Sequence, residues 1–295
     1  MRRLVLVVSA LVLIGGGAVI WLTRATPLPP ESIAGLPGDA ARGEDVFWVA
    51  GCASCHAADG AEGAARLILT GGQRFPSDFG TFVAPNVSTH PEAGIGDWTF
   101  AEFANAVQRG VSPEGAHYYP AFPYTAYALA APQDIADLWA FWQGLPAADT
   151  VPPGHDVGFP FSLRSGVGVW KALFAQDGFQ VDADDPEVLR GRYLVEALGH
   201  CAECHTPRTA LGGLDRSQWM AGAPDPGGSG RVPGLTPATL TWSQDEIAQY
   251  LNDGFTPDFD SVGGHMVSVV RNLAETTEAD RRAIAAYLKA LPPRP

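Results

Sequence analysis

Two five-residue stretches decide the reading: Cys52-Ala53-Ser54-Cys55-His56 and Cys201-Ala202-Glu203-Cys204-His205. Together they use every cysteine of the 295-residue chain. Cys-x-x-Cys-His is the pattern of c-type haem attachment. Two thiols three residues apart on one helical turn can add to the two vinyl groups of one porphyrin edge. The adjacent histidine then lies under the iron as its proximal ligand. A zinc ribbon needs its cysteine pairs about 15–20 residues apart, and these lie 149 residues apart. A thioredoxin-like redox pair has no need of a histidine after each motif. Four cysteines are also too few to staple a chain of this length with disulfides. The spacing therefore predicts two covalently bound haem c groups, with thioethers at Cys52, Cys55, Cys201 and Cys204 and proximal ligands His56 and His205.

Working outward, the chain repeats itself around these motifs. Trp98-Thr99 with Glu102-Phe103 matches Trp242-Ser243 with Glu246-Ile247, and Gly110 to Pro113 matches Gly254 to Pro257. The offset is 144 throughout, without a gap. Asp134 through Pro146 matches Asp280 through Pro292 at offset 146. Both of these last segments carry apolar residues at helical spacing, Leu138, Phe141, Trp142 and Leu145 against Ile284, Tyr287, Leu288 and Leu291, and both stop at proline. Gly43 and Gly191 precede the first cysteine by nine and ten residues, in short helices that could cross the last one. Pro85 to Ser88 pairs with Pro233 to Thr236 as the loop after the haem. Length alone points to two domains. The expectation is an all-α chain of two tandem haem domains, residues 38–150 and 185–295, joined by a Gly/Pro-rich linker, 151–184. The linker holds a possible short helix from Val167 to Phe174 and packs against the domains.

The repeat also points to the sixth ligands. Met266 follows Gly263-Gly264 and precedes the final helix, where such a domain presents a thioether to the far side of the iron. His265 is its nearest rival and Met220 a poorer one. At offset 144, Met266 pairs with Phe122, which cannot bind iron, and no methionine occurs between Cys55 and His200. Haem 1 therefore differs from haem 2. Its candidates are His117, five residues before Phe122, then His90, or a site left open or closed by water. His155 reads as a packing residue. His200 cannot easily turn back to its own iron. Asp182, Asp184 and Asp185 read as a solvated turn rather than metal ligands.

The N-terminus, 1–26, reads as a membrane anchor, with a cleaved signal sequence as the alternative. Arg2 and Arg3 precede an apolar run from Leu4 to Leu22 that is about 28 Å long as a helix. Three flanking arginines favour an N-terminus inside, which places the haem domains in the periplasm of a bacterial inner membrane. Pro-rich residues 27–37 form a stiff tether. Residues 27–295 hold 32 acids against 16 bases, a net charge of −16. That balance excludes nucleic-acid binding, which wants a basic footprint, and suits docking onto a basic partner.

These residues resemble the membrane-anchored cytochrome c subunits of bacterial periplasmic dehydrogenases that oxidise alcohols, aldehydes or gluconate. The matching segments are the two Cys-x-x-Cys-His motifs, Thr81 to Ser88, Gly94 to Trp98, His117 to Tyr124 and Gly263 to Asn272. Members of that family often carry Pro-Ala-Met-Pro-Tyr where this chain has Pro120-Ala121-Phe122-Pro123-Tyr124. The resemblance implies an electron carrier between a dehydrogenase or quinol-linked donor and another cytochrome or a terminal oxidase. It also implies iron ligands His56, His205 and Met266. The alternative is a dihaem enzyme acting on a small ligand, as a peroxidase does, at an open haem 1.

Overall fold

The computed structural model describes residues 2–175, 178–225 and 230–294, and for Val8, Leu11, Val12 and Ile20 the backbone alone. In domain 1, α2 (Ala40–Val49) crosses α6 (Pro132–Trp142). In domain 2, α8 (Pro186–Arg192) crosses α12 (Glu278–Ala290). Both crossings rest on the glycine singled out in the sequence. A Cβ on Gly43 would lie 1.9 Å from the Asp137 carbonyl oxygen, and one on Gly191 1.8 Å from that of Ala283. At each crossing the other neighbour is an aromatic Cβ, Phe141 or Tyr287, at 2.8 Å. No side chain fits there, so the backbones touch and the aromatic residues close over them. Phe47 and Tyr287 are fully buried in the resulting cores.

Gly43 stands one residue nearer its cysteine than Gly191 does. The structure shows where the extra residue goes. Beyond α8 the chain continues as a π-helical turn, Tyr193–Leu198. Such a turn accommodates one additional residue without breaking the helix. It also directs the Glu196 carboxylate inward, where it accepts from Tyr287 Oη (2.5 Å) and from the Gln180 amide (2.6 Å).

The middle helices repeat as faithfully. α4 (Phe100–Arg109) starts in a capping box of Thr99 and Glu102, and α10 (Gln244–Asp253) in one of Ser243 and Glu246. Each satisfies two otherwise unpaired backbone N–H groups at a helix start. Both helices end at a left-handed glycine, Gly110 or Gly254. Each then enters a loop closed by one β-bridge, Val111 to His117 or Phe255 to Ser261. Two small antiparallel hairpins add to the all-α expectation: β1 (Arg74–Ser77) with β2 (Gly80–Val83), and β3 (Ala223–Pro224) with β4 (Arg231–Val232).

The linker contains α7 (Ser165–Phe174), which starts two residues before the helix read from the sequence. Trp170 Nε1 donates to Leu211 O (3.0 Å), and Lys171 Nζ donates to Gly110 O (2.9 Å) and Arg109 O (2.6 Å). The linker thus touches both domains. Asp185 caps α8 through the amides of Glu187 and Val188, which accounts for the last of the three acids Asp182, Asp184 and Asp185. The N-terminal run forms α1 (Arg2–Leu22), whose end packs on α7. Among the described residues no helix is long and apolar enough to cross a membrane. That departs from the spanning segment read from the sequence, part of which, Val8, Leu11, Val12 and Ile20, lies outside the described side chains.

If the glycine crossings set the helix spacing, Gly43→Ala and Gly191→Ala each cost about 2–3 kcal/mol in chemical denaturation, as overpacking does. Gly154→Ala, where nothing lies within 4 Å of an added Cβ, changes stability by less than about 0.5 kcal/mol.

Candidate haem sites

Each Cys-x-x-Cys-His motif occupies a short helical turn: α3 (Cys52–His56) in domain 1, and Cys201 with α9 (Ala202–His205) in domain 2. Each turn is tied down twice by the same partners. The carbonyl of the motif histidine accepts from a glycine amide, Gly71 to His56 at 2.7 Å and Gly222 to His205 at 2.8 Å. The imidazole Nδ1 donates to a proline carbonyl, His56 to Pro85 at 3.0 Å and His205 to Pro233 at 2.8 Å. A carbonyl can only accept, so Nδ1 carries the proton and Nε2 keeps its lone pair. Desolvation holds both imidazoles below the usual histidine pKa, against the opposing pull of those carbonyls. A neutral ring oriented through one nitrogen, with the other free, is what an iron ligand requires.

The four thiols are unpaired with one another. Burial pushes Cys52 and Cys201 up to about 12 and Cys55 to about 11, and Cys204 also rises. The residues present therefore fit the group: in each domain, two unpaired thiols on one turn would take the thioether bonds and one oriented imidazole would take the iron.

On the distal side the two domains part. Met266 begins α11 (Met266–Leu273), is partly buried and packs on the domain 2 core, whereas His265 before it is exposed. Met220 is fully buried. Its carbonyl accepts from Leu235, as that of Leu69 accepts from Val87 in domain 1. Met220 is thus the counterpart of Leu69, a core residue. Phe122 stands in the place of Met266, within a cluster of Tyr118, Tyr124 and Tyr127 at ring separations of 5.9–6.2 Å.

His117 is buried, and its Nε2 donates to the Thr23 carbonyl at the end of α1 (2.9 Å). Its Nδ1 is buried without a hydrogen bond. A Cβ on Gly168 of α7 would come within 2.9 Å of Nε2 and 2.0 Å of Thr23 O, so the ring sits in a junction of three segments. His90 Nδ1 accepts from the amides of Glu92 and Ala93 as a local turn cap. His155 Nδ1 accepts from the Val83 amide and its ring packs edge-on to Phe82 and Tyr119. Both are committed to packing. Among the described residues no cluster of His, Cys, Asp and Glu could hold a further metal ion.

The domains meet across their attachment turns, which the sequence did not foretell. On one side α11 packs against α3: Asn272 Nδ2 donates to Ser54 Oγ (2.8 Å), and Arg66 bridges Asn272, the Arg271 carbonyl and Glu275. On the other, α5 (Tyr124–Tyr127) packs against the π turn, and Tyr193 Oη bonds Asp134. Between them, the Ala50 carbonyl accepts from Tyr127 Oη (2.8 Å) and His200 Nε2 (3.3 Å), and the Tyr127 and His200 rings meet edge to face at 5.6 Å. Gly51 and His200 each precede a first cysteine, and both have left-handed backbones, φ 68° and 42°. Glycine adopts that conformation freely. His200 is held in it by contacts to the other domain. The one signal in the sequence was a histidine standing where the other motif has glycine.

Comparison with known proteins agrees with this architecture. The sequence profile of the family described as cytochrome c matches residues 40–146 and 188–292. A diheme c-type cytochrome of Cereibacter sphaeroides is 56% identical over 99% of both chains. The cytochrome subunit of fructose dehydrogenase from Gluconobacter japonicus is 33% identical over 91% of this chain. The cytochrome c subunit of the quinone alcohol dehydrogenase of Gluconobacter oxydans is 35% identical over 86%. The chain spans 56% and 55% of the length of those two subunits. Two matched repeats, each with one attachment motif, and a full-length dihaem relative show that this chain belongs to the cytochrome c family and carries two covalently bound haem c groups.

Proposed function

We propose that this protein is an electron relay that takes electrons from a dehydrogenase or quinol-linked donor and delivers them to another cytochrome or a terminal oxidase. The observation that carries this reading is the meeting of two attachment turns across one packed seam. The kinship with cytochrome subunits of fructose and alcohol dehydrogenases supports a dehydrogenase as donor. Each haem, when bound, supplies a one-electron iron couple. The chain's residues hold and tune that couple. Cys52, Cys55, Cys201 and Cys204 would fix the two groups, His56 and His205 would hold the irons, and Met266 would serve as the second ligand of haem 2. A thioether ligand raises a haem's potential, so electrons run from haem 1 toward haem 2. The seam of Ala50, Tyr127 and His200 is the route assigned to exchange between them. Replacing His200 by glycine suits the left-handed backbone and removes the ring. His200→Gly is expected to keep both haems and slow inter-haem equilibration severalfold after flash reduction. An unchanged rate would remove the seam from the route.

Haem 1 receives no methionine, and His117 is committed to the α1–α7 junction. The expected electron paramagnetic resonance spectrum holds one low-spin signal for haem 2 and one high-spin signal for a haem that binds cyanide. His117→Ala leaves that spectrum unchanged. Conversion of a low-spin signal to high-spin in this variant would instead make His117 the ligand of haem 1.

Membrane attachment through α1, with the haem domains in the periplasm, completes the proposal. It is supported by the exposure of Leu4, Val5, Leu6, Val7, Leu13, Ile14, Val19, Trp21 and Leu22 on a helix whose described face offers little else. The full chain should sediment with membranes and resist high-salt washing, and removal of residues 1–26 should release it. A full chain recovered in the soluble fraction would contradict attachment.

A further inference from the structure

The internal repeat exposes a face that is covered in one domain and bare in the other. The loops 110–118 and 254–262 have the same construction. Ser112 N donates to Ala116 O as Thr256 N does to Asp260 O, and Tyr118 N donates to Gly110 O as Val262 N does to Gly254 O, all at 2.8 Å. In domain 1 this loop is capped from outside by the end of α1 and by α7. Thr23 O receives His117, Lys171 Nζ reaches Gly110 O, and Val111 is 5% exposed. In domain 2 the residue matching Val111 is Phe255, which is 54% exposed, and Phe259, 88% exposed, stands at the position of Gly115, which is exposed in domain 1 as well. Both Gly115 and Phe259 are left-handed, φ 78° and 63°. Glycine takes that conformation without cost. A phenylalanine there meets steric strain and presents a whole ring to water.

The loop that carries this face, with the end of α10 before it, holds three exposed acids, Asp253, Asp258 and Asp260, while Asp245 farther back is paired with Arg282. From residue 232 to 270 there is no lysine or arginine, and there are five acids: Asp245, Glu246, Asp253, Asp258 and Asp260. Asp258 and Asp260 flank Phe259 directly. The same loop runs through Val262 to His265 into Met266, the ligand assigned to haem 2.

We propose that Phe255 and Phe259, rimmed by Asp253, Asp258 and Asp260, form the docking surface for an electron-accepting protein with a basic rim. The inference rests on the relay reading above. A repeat whose other copy has a covering segment over Val111, an aromatic pair in solvent and three exposed acids beside it, Asp253, Asp258 and Asp260, together fit a partner with apolar contacts at its centre and cations around them. Opposite charge steers such an encounter and the apolar centre sets its lifetime. The loop that carries this face leads directly into Met266, the ligand assigned to haem 2 and so to the higher-potential end, which assigns the face to the acceptor rather than the donor.

The test is stopped-flow electron exchange between the ascorbate-reduced holoprotein and mitochondrial cytochrome c, used as a small, strongly basic redox probe. Ferricyanide serves as the small-molecule control. The wild-type rate should fall steeply as salt is raised. The double variant Phe255→Ser/Phe259→Ser should lose at least about fivefold at low salt. Asp258→Asn/Asp260→Asn should flatten the salt dependence. Both should keep two haems and the wild-type ferricyanide rate. A wild-type rate indifferent to salt, or both variants within about twofold of wild type, overturns the proposal. Loss of a dimer in the phenylalanine variant on sedimentation would give the face to a second copy of this chain and overturn it too. Haems that cycle with neither ascorbate nor ferricyanide would count against the relay reading itself.

Discussion

Two hydrogen bonds, from His56 Nδ1 to the Pro85 carbonyl and from His205 Nδ1 to the Pro233 carbonyl, decide what the rest of the chain must supply. They orient each ring and select its tautomer, leaving Nε2 as the only nitrogen with a lone pair to offer. To make such a bond, the loop after the haem must return to the attachment turn. Gly71 and Gly222 secure that return by donating to the carbonyl of the same histidine. Behind the turn, the helix crossing at Gly43 or Gly191 sets the depth of the crevice. The capping boxes and left-handed glycines around α4 and α10 then deliver the distal loop to the opposite side.

Because both domains are built this way, their differences stand out. Phe122 takes the place of Met266, Gly51 that of His200, Gly115 that of Phe259 and Leu69 that of Met220. The first is the difference on which the proposal of unequal haems rests. The second turns the position before a first cysteine into a contact with the other domain. The third gives domain 2 a bare aromatic tip where domain 1 has an exposed glycine. The two domains thus share one frame and differ at a few positions within it.

Much of that frame could be read from residues close together in the chain. The gapless offset of 144 anticipates the equivalence of Phe122 and Met266, since the capping boxes, C-terminal glycines and β-bridges all fall in register. The glycines before each motif anticipate the helix crossings, because a backbone-to-backbone approach excludes any Cβ. The extra residue before Cys201 was visible as a count, but its absorption in a π turn depends on Glu196 finding Tyr287 91 residues away. The two hairpins left no signal, since strands of two to four residues have too few positions to show alternation. The seam between the domains and the bond from His117 to Thr23 were also beyond reach. Each joins residues far apart in the chain by single contacts, and no local pattern encodes such a pairing. His117 looked like a free imidazole in a distal loop because its partner lies 94 residues upstream.

The central claim is that two similarly built sites hold two haems of unequal potential, with the higher at the Met266 side. A spectropotentiometric titration of the purified holoprotein tests it most directly. The account predicts two separate one-electron steps, of which the upper disappears in Cys201→Ala/Cys204→Ala. A single step containing both haems, or an upper step that survives loss of the second attachment motif, would contradict it.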